Sequence, residues 1–183
     1  MIDIFKTYID PASKESFRGL SLDQNSYKME WIVQPEGYVP LEHIHLHQNE
    51  TFLIQEGEIL LLIDGEKFVG KVGDVITVPK GKRHIAYNNA QTVLKCEVSY
   101  TPSLDILQFE QCFMGMLQDG HYDKTGKIKI PMMGYFLSKM KCQSMTRPTE
   151  IPAFVFAFAL KVFYLVGVIR GWKKYYTAYT GLS

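Results

Sequence analysis

Short stretches in which apolar and polar residues alternate occupy the chain from Tyr27 to Tyr100. Each predicts a strand with one face turned inward, because successive side chains leave opposite sides of a strand. Tyr27 to Gln34 sets Met29, Trp31 and Val33 against Lys28, Glu30 and Gln34. Thr51 to Gln55 and Glu58 to Asp64 follow, and Asp64-Gly65 is a two-residue hairpin signal leading into Lys67 to Lys71. Val75 to Val78, Arg83 to Asn88 and Thr92 to Tyr100 complete the set; in the last, Leu94, Cys96, Val98 and Tyr100 alternate with Lys95, Glu97 and Ser99. Many short strands at close spacing predict an antiparallel barrel or sandwich.

The pattern changes after Pro102. Leu104, Leu107, Phe109, Phe113, Met114 and Leu117 predict a helix over 103–117, and Pro131 to Lys141 predicts a second one. A polar loop, Gln118 to Lys127, lies between them, and Ser144 to Pro152 breaks the chain before a last segment, Ala153 to Ile169, which is apolar on nearly all sides. The expected division is therefore a β-barrel over residues 1–101 and a helical extension over 102–183.

Into the first part, the stretch Gly37 to Gly57 places three histidines and a glutamate within eight residues. His43 and His45, two apart, leave the same face of an extended strand, and Glu50 follows a polar break where a turn can return its carboxylate towards them. His84 arrives on a new strand after the turn Pro79-Lys80-Gly81. The spacing of Gly37, His43, His45, Glu50 and Gly57, and then of Gly73, Pro79, Gly81, His84 and Asn88, closely resembles the two motifs of the cupin superfamily. The resemblance implies a small antiparallel β-barrel of jelly-roll type, with His43, His45, Glu50 and His84 holding one divalent metal ion. It does not imply a reaction, since folds host many chemistries. His47 shares the parity of His43 and His45 but lies outside the motif, and is expected at the rim, orienting other ligands.

Parity from Glu50 puts Phe52 and Ile54 inward, and parity from His84 does the same for Ala86 and Asn88, so the pocket is expected to be largely apolar. Phe52, Ile54, Tyr38 and Asn88 are the candidate substrate contacts, Asn88 being expected also to hold a turn or loop by hydrogen bonding, with Trp31 and Tyr87 as further aromatics at its mouth. Three imidazoles and a carboxylate leave one or two open positions on iron, manganese, nickel or zinc. Iron would suit an oxygenase acting on an enol, catechol or keto acid; zinc or manganese would suit isomerisation or hydrolysis by a Lewis acid. No second carboxylate or lysine stands out as a general base, which leaves Glu50 as the catalytic candidate. The other class is a binding or sensing module without turnover.

Composition narrows the partners. A formal net charge of +1 argues against nucleic acid. Residues 1–101 hold 10 Lys plus Arg against 14 acids, and residues 102–183 hold 10 against 5, so the basic charge sits in the extension. A small-molecule ligand and a second copy of the chain in a homodimer are the expected partners. For the apolar segment, docking on protein competes with peripheral membrane contact through residues 153–176, which the following RGWKKYY favours. Lys161 near the middle argues against full spanning. Acids at positions 3 and 10 rule out a secretory signal at the N-terminus, and Cys96, Cys112 and Cys142, odd in number and without a CxxC pair, suit reduced thiols; the expected location is the cytoplasm.

Overall fold

The computed structural model describes residues 1–39, 42–140, 146–149 and 151–183. Ten strands precede the first helix: β1 (Tyr8–Asp10), β2 (Glu15–Leu22), β3 (Tyr27–Val33), β4 (His43–His45), β5 (Asn49–Glu56), β6 (Glu58–Ile63), β7 (Glu66–Lys71), β8 (Val75–Val78), β9 (Arg83–Tyr87) and β10 (Leu94–Thr101). Helices α1 (Ile106–Gln118) and α2 (Ile130–Lys139), a short strand β11 (Thr146–Pro148), and helices α3 (Ala153–Ile169) and α4 (Lys173–Thr180) follow. All strand pairings are antiparallel, in two sheets of order β1-β2-β3-β10-β5-β8 and β11-β4-β9-β6-β7. The fold is thus mainly β, with helices after it.

Alternation decides what each sheet buries. Leu94, Cys96, Val98 and Tyr100 of β10 are buried, as are Trp31 and Val33 of β3 and Phe52 and Ile54 of β5. Cys96 and Cys112 are buried core thiols, both with their pKa raised by burial, that of Cys96 to about 12; Cys142 lies outside the described residues. The hairpin β6–β7 turns at Asp64-Gly65, both with positive φ (51° and 87°), as that dipeptide predicts.

The later part of the chain is tied to the strands at several points. β11 extends the second sheet by pairing with β4. Gln48, fully buried, donates from Nε2 to the carbonyls of Pro102 (2.7 Å) and Ser103 (2.9 Å), fixing the entry to α1 against the β4–β5 turn. The Ile2 amide donates to the Tyr179 carbonyl at 2.8 Å, which joins the two ends of the chain.

Helix α1 buries Ile106, Cys112, Met114, Met116 and Leu117, together with Glu110 and Gln111, so more than one apolar stripe is covered. Leu104, expected on its apolar face, precedes the helix with φ 49° and is exposed. Helix α3 meets α2 along one face, where a Cβ on Gly134 would strike the Phe163 ring and one on Gly167 the Tyr135 ring. Its other faces are open: Phe154, Phe158, Leu165 and Ile169 are 77%, 67%, 62% and 85% exposed. The helix is expected on the barrel or on a second copy; what covers its one packed face is α2.

Candidate metal centre and pocket

Strand register assembles the four ligands from both sheets. His43 and His45 leave one face of the short strand β4, and His84 on β9 pairs directly with His43. Glu50 comes from β5 in the facing sheet, where it pairs with Tyr100 on one side and Val78 on the other. The turn at 46–48 therefore carries the chain from one sheet to the other and closes the set.

The geometry is convergent. The Glu50 Oε2 lies 2.7 Å from His84 Nε2 and 3.1 Å from His45 Nε2, and His43 Nε2 lies 3.3 Å from His45 Nε2. One donor atom from each of the four falls within 4.8 Å of all the others. His84 Nδ1 faces the Lys82 carbonyl at 3.1 Å; a carbonyl only accepts, so that nitrogen carries the hydrogen. The neutral ring then presents the lone pair of Nε2 to a carboxylate oxygen, and two acceptors at 2.7 Å require a proton or a cation between them. Ligands about a divalent ion at about 2.1 Å stand about 3 Å apart when adjacent, which is the spacing found here. The residues present fit a metal ion.

Electrostatics points the same way. Burial raises the Glu50 pKa, but the charge of His45 and the hydrogen bonds of His45 and His84 outweigh it and hold the carboxyl well below the usual range. Burial lowers the His84 pKa, and the hydrogen bond and charge of Glu50 overturn this, for a net rise. The site thus stabilises an anionic oxygen beside cationic partners. The buried His45 Nδ1 has no hydrogen-bond partner among the described residues.

Beside the cluster lies a pocket of about 240 Å³, reached by His43, His45 and Glu50. Its walls are apolar: Phe17, Met29, Trp31, Phe52 and Val98 from the strands, and Ile106, Phe109 and Phe113 from α1. Of the expected contacts, Phe52 and Trp31 line it. Ile54 does not; it is buried in the core next to Gly70. Tyr38 is half-buried and pairs with Tyr87 in a bridge, and neither lines the pocket. Asn88 is fully buried and donates from Nδ2 to the carbonyls of Val33 and Thr92, both at 2.9 Å, so its side chain is used up in holding the loop. His47 is exposed and lies outside the convergent group, because it sits on the turn that switches sheets.

Two pocket carboxyls were not legible in the motifs. Glu15, at the start of β2, accepts from Ser13 Oγ (2.8 Å) and Trp31 Nε1 (2.7 Å), and burial pushes its pKa up to about 7. Glu110, on α1, is 5% exposed; burial, then the charges of Glu15 and Glu50, push it up to about 8. The available signal was that Glu110 is the one charged residue in the run Ile106–Gln118. Tyr100 is buried and pairs with Glu50 across β10 and β5; burial, then the charges of Glu50 and Glu110, raise its pKa.

A family model described as the Cupin domain matches residues 29–100. No curated protein matches the chain. Among solved structures, the Cnp3 cupin domain of Schizosaccharomyces pombe is 17% identical with a TM-score of 0.46, covering 49% of this chain and 65% of that one. A sugar phosphate isomerase from a cupin superfamily of Silicibacter pomeroyi is 23% identical (TM-score 0.45; 49% and 61% covered). A predicted oxalate decarboxylase from Thermotoga maritima is 22% identical (TM-score 0.45; 48% and 80%). This chain spans slightly less than two thirds of the first two. Overlaps of that extent carry nothing about chemistry; the family match and the two motifs within it do establish kinship, and the barrel that residues 29–100 contribute belongs to the cupin superfamily.

Proposed function

We propose that the chain is a metal-dependent enzyme acting on a small oxygen-bearing organic molecule, as an oxygenase or an isomerase. The observation that carries this reading is the convergence of three imidazole Nε2 atoms and one carboxylate oxygen at the inner end of an apolar pocket. His43, His45, Glu50 and His84 would hold one divalent ion of iron, manganese, nickel or zinc. A bound ion supplies a Lewis acid for a ligand oxygen and, if it is iron, a partner for dioxygen.

The chain's own residues supply the rest. Lys82 locks the His84 tautomer through Nδ1, so that ring cannot turn its protonated nitrogen to the site. Phe17, Trp31, Phe52 and Phe113 keep water from the ligand's carbon skeleton. The Tyr100 hydroxyl, next to Glu50, adds a proton-bearing group at the same carboxylate. The test is turnover, followed by dioxygen uptake with enols and catechols and by carbonyl isomerisation. Glu50→Gln is expected to abolish the activity of the native chain while folding persists; activity unaltered by that change would refute the assignment.

A second reading, a binding module attached to a surface, is favoured by α3. Residues 124–183 contain ten Lys and Arg and one acid, Glu150. The exposed apolar residues of α3 continue into Arg170, Trp172, Lys173 and Lys174. Among the described residues no single helix is long and apolar enough to cross a membrane, and α3 and α4 meet at 96°. Two copies meeting through this region would bring like charges together, whereas an anionic lipid surface complements them. The occupant we assign to the open face of α3 is therefore an anionic membrane surface, with Lys161 extending its stem to return its ammonium to the headgroups. Attachment of this kind is compatible with turnover in the barrel.

A further inference from the structure

The pocket holds more carboxyls than the metal cluster uses. Glu15 has both oxygens occupied, by Ser13 and Trp31, and its role is fixed by them. Glu110 differs: it lines the same pocket, is buried, and among the described residues has no donor or acceptor within hydrogen-bond distance of its carboxyl. A buried carboxyl without a partner costs free energy, and such groups in native proteins call for an explanation. Nothing in the packing of α1 requires a polar side chain there, since its neighbours in the wall are Ile106, Phe109 and Phe113.

The chemistry of the lining restricts what would satisfy Glu110. Among the described residues no lysine or arginine lines the pocket, and three carboxyls do. Phosphates and dicarboxylates therefore find no lysine or arginine among those residues to offset their charge, and would have to leave water for apolar walls. Burial, ahead of the charges of Glu15 and Glu50, keeps Glu110 protonated at neutral pH, and a protonated carboxyl both donates and accepts. The walls between are aromatic and aliphatic.

We propose that Glu110 is a ligand-binding residue, and that the pocket takes an uncharged, largely apolar molecule carrying a second hydroxyl or carbonyl besides the oxygen that meets the four ligands. This selectivity rests on the reading of the cluster as a metal centre, and it narrows the substrate class away from sugar phosphates and short dicarboxylic acids.

The experiment is calorimetric titration of the zinc-loaded full chain, without oxygen, using phenol, resorcinol and hydroquinone as probes. The second hydroxyl of the latter two cannot reach the ion that the first one meets. In the native chain at least one of them should bind about tenfold more tightly than phenol, the worth of one hydrogen bond to a carboxyl. Glu110→Leu should lose that preference with phenol binding retained, and Glu110→Gln, which still donates and accepts, should keep part of it. Metal per chain, measured by elemental analysis, should be unchanged in both variants. No preference in the native chain, or a preference that survives Glu110→Leu, would overturn the proposal. If Glu110→Leu fails to fold, Glu110→Met takes its place, and a preference that survives that change would count against the proposal. Should no zinc bind at all, the metal reading fails by itself, and the same probes on the metal-free chain still decide the role of Glu110.

Discussion

Glu15 and Glu110 keep their protons up to about pH 7 and pH 8, well above the 4.5 of an unfolded glutamate, with burial the largest cause in both. Across that window the native state binds more protons than the unfolded one, so stability falls as pH rises from about 4.5 to 8. The raised pKa of His84 adds a loss in the same direction, at higher pH than its ordinary value. Removing Glu110 isolates its share: Glu110→Leu should melt at a higher temperature than the native chain at pH 8 and show a flatter pH dependence, by an amount on the order of a few kcal/mol. A lower melting temperature at pH 8 would mean that the carboxyl has a native partner. At this scale the metal ligands were legible because three of them fall in one short stretch and the fourth in a second with fixed spacing. Glu110 was not, because its surroundings combine Glu15 of β2 with the Trp31 wall of β3, and no local pattern brings these to α1. Asn88 is the opposite case: parity puts it inward, and of its two expected roles, holding a loop or touching a ligand, its amide fills the first.

At the scale of elements, glycines set how closely the helices pack. The Tyr135 ring lies over Gly167, and the Phe163 ring over Gly134, where added Cβ atoms would overlap them. Gly167→Ala is expected to lower stability by about 1–3 kcal/mol, read from denaturant unfolding, with metal content unchanged, because the overlap must be relieved by moving a buried ring. The seven strands predicted between Tyr27 and Tyr100 occur with ends shifted by no more than about two residues, since alternation in β3, β5 and β10 and turn signals such as Asp64-Gly65 bound them. The strands that escaped notice are β1 and β11, three residues each, and β2, where Gly19 and exposed Leu20 and Ser21 blur the alternation. β11 contains a proline and is defined by pairing with β4 alone.

For the whole molecule, the open face of α3 and the acid-poor stretch after Asp123 predict partition onto lipid. Co-sedimentation with vesicles containing phosphatidylserine should capture the chain, and phosphatidylcholine alone should capture much less. The pair Phe158→Ser and Leu165→Ser should release it without altering the barrel. If light scattering instead finds a homodimer that those changes dissociate, the face is covered by a second copy and the lipid assignment is wrong. Sequence showed this segment to be apolar all round, but not which side α2 covers, since its low periodicity leaves every face alike.

The metal itself is tested most directly by elemental mass spectrometry on untagged chain, native and His84→Ala, with circular dichroism to confirm that both are folded. Close to one equivalent of iron, manganese, nickel or zinc per native chain is expected, and well under that in the variant, because His84 acts mainly through the ion. A native chain that holds no metal and takes up none of these four on titration, or a folded His84→Ala chain with its full equivalent, would contradict the assignment of His43, His45, Glu50 and His84 as the ligands.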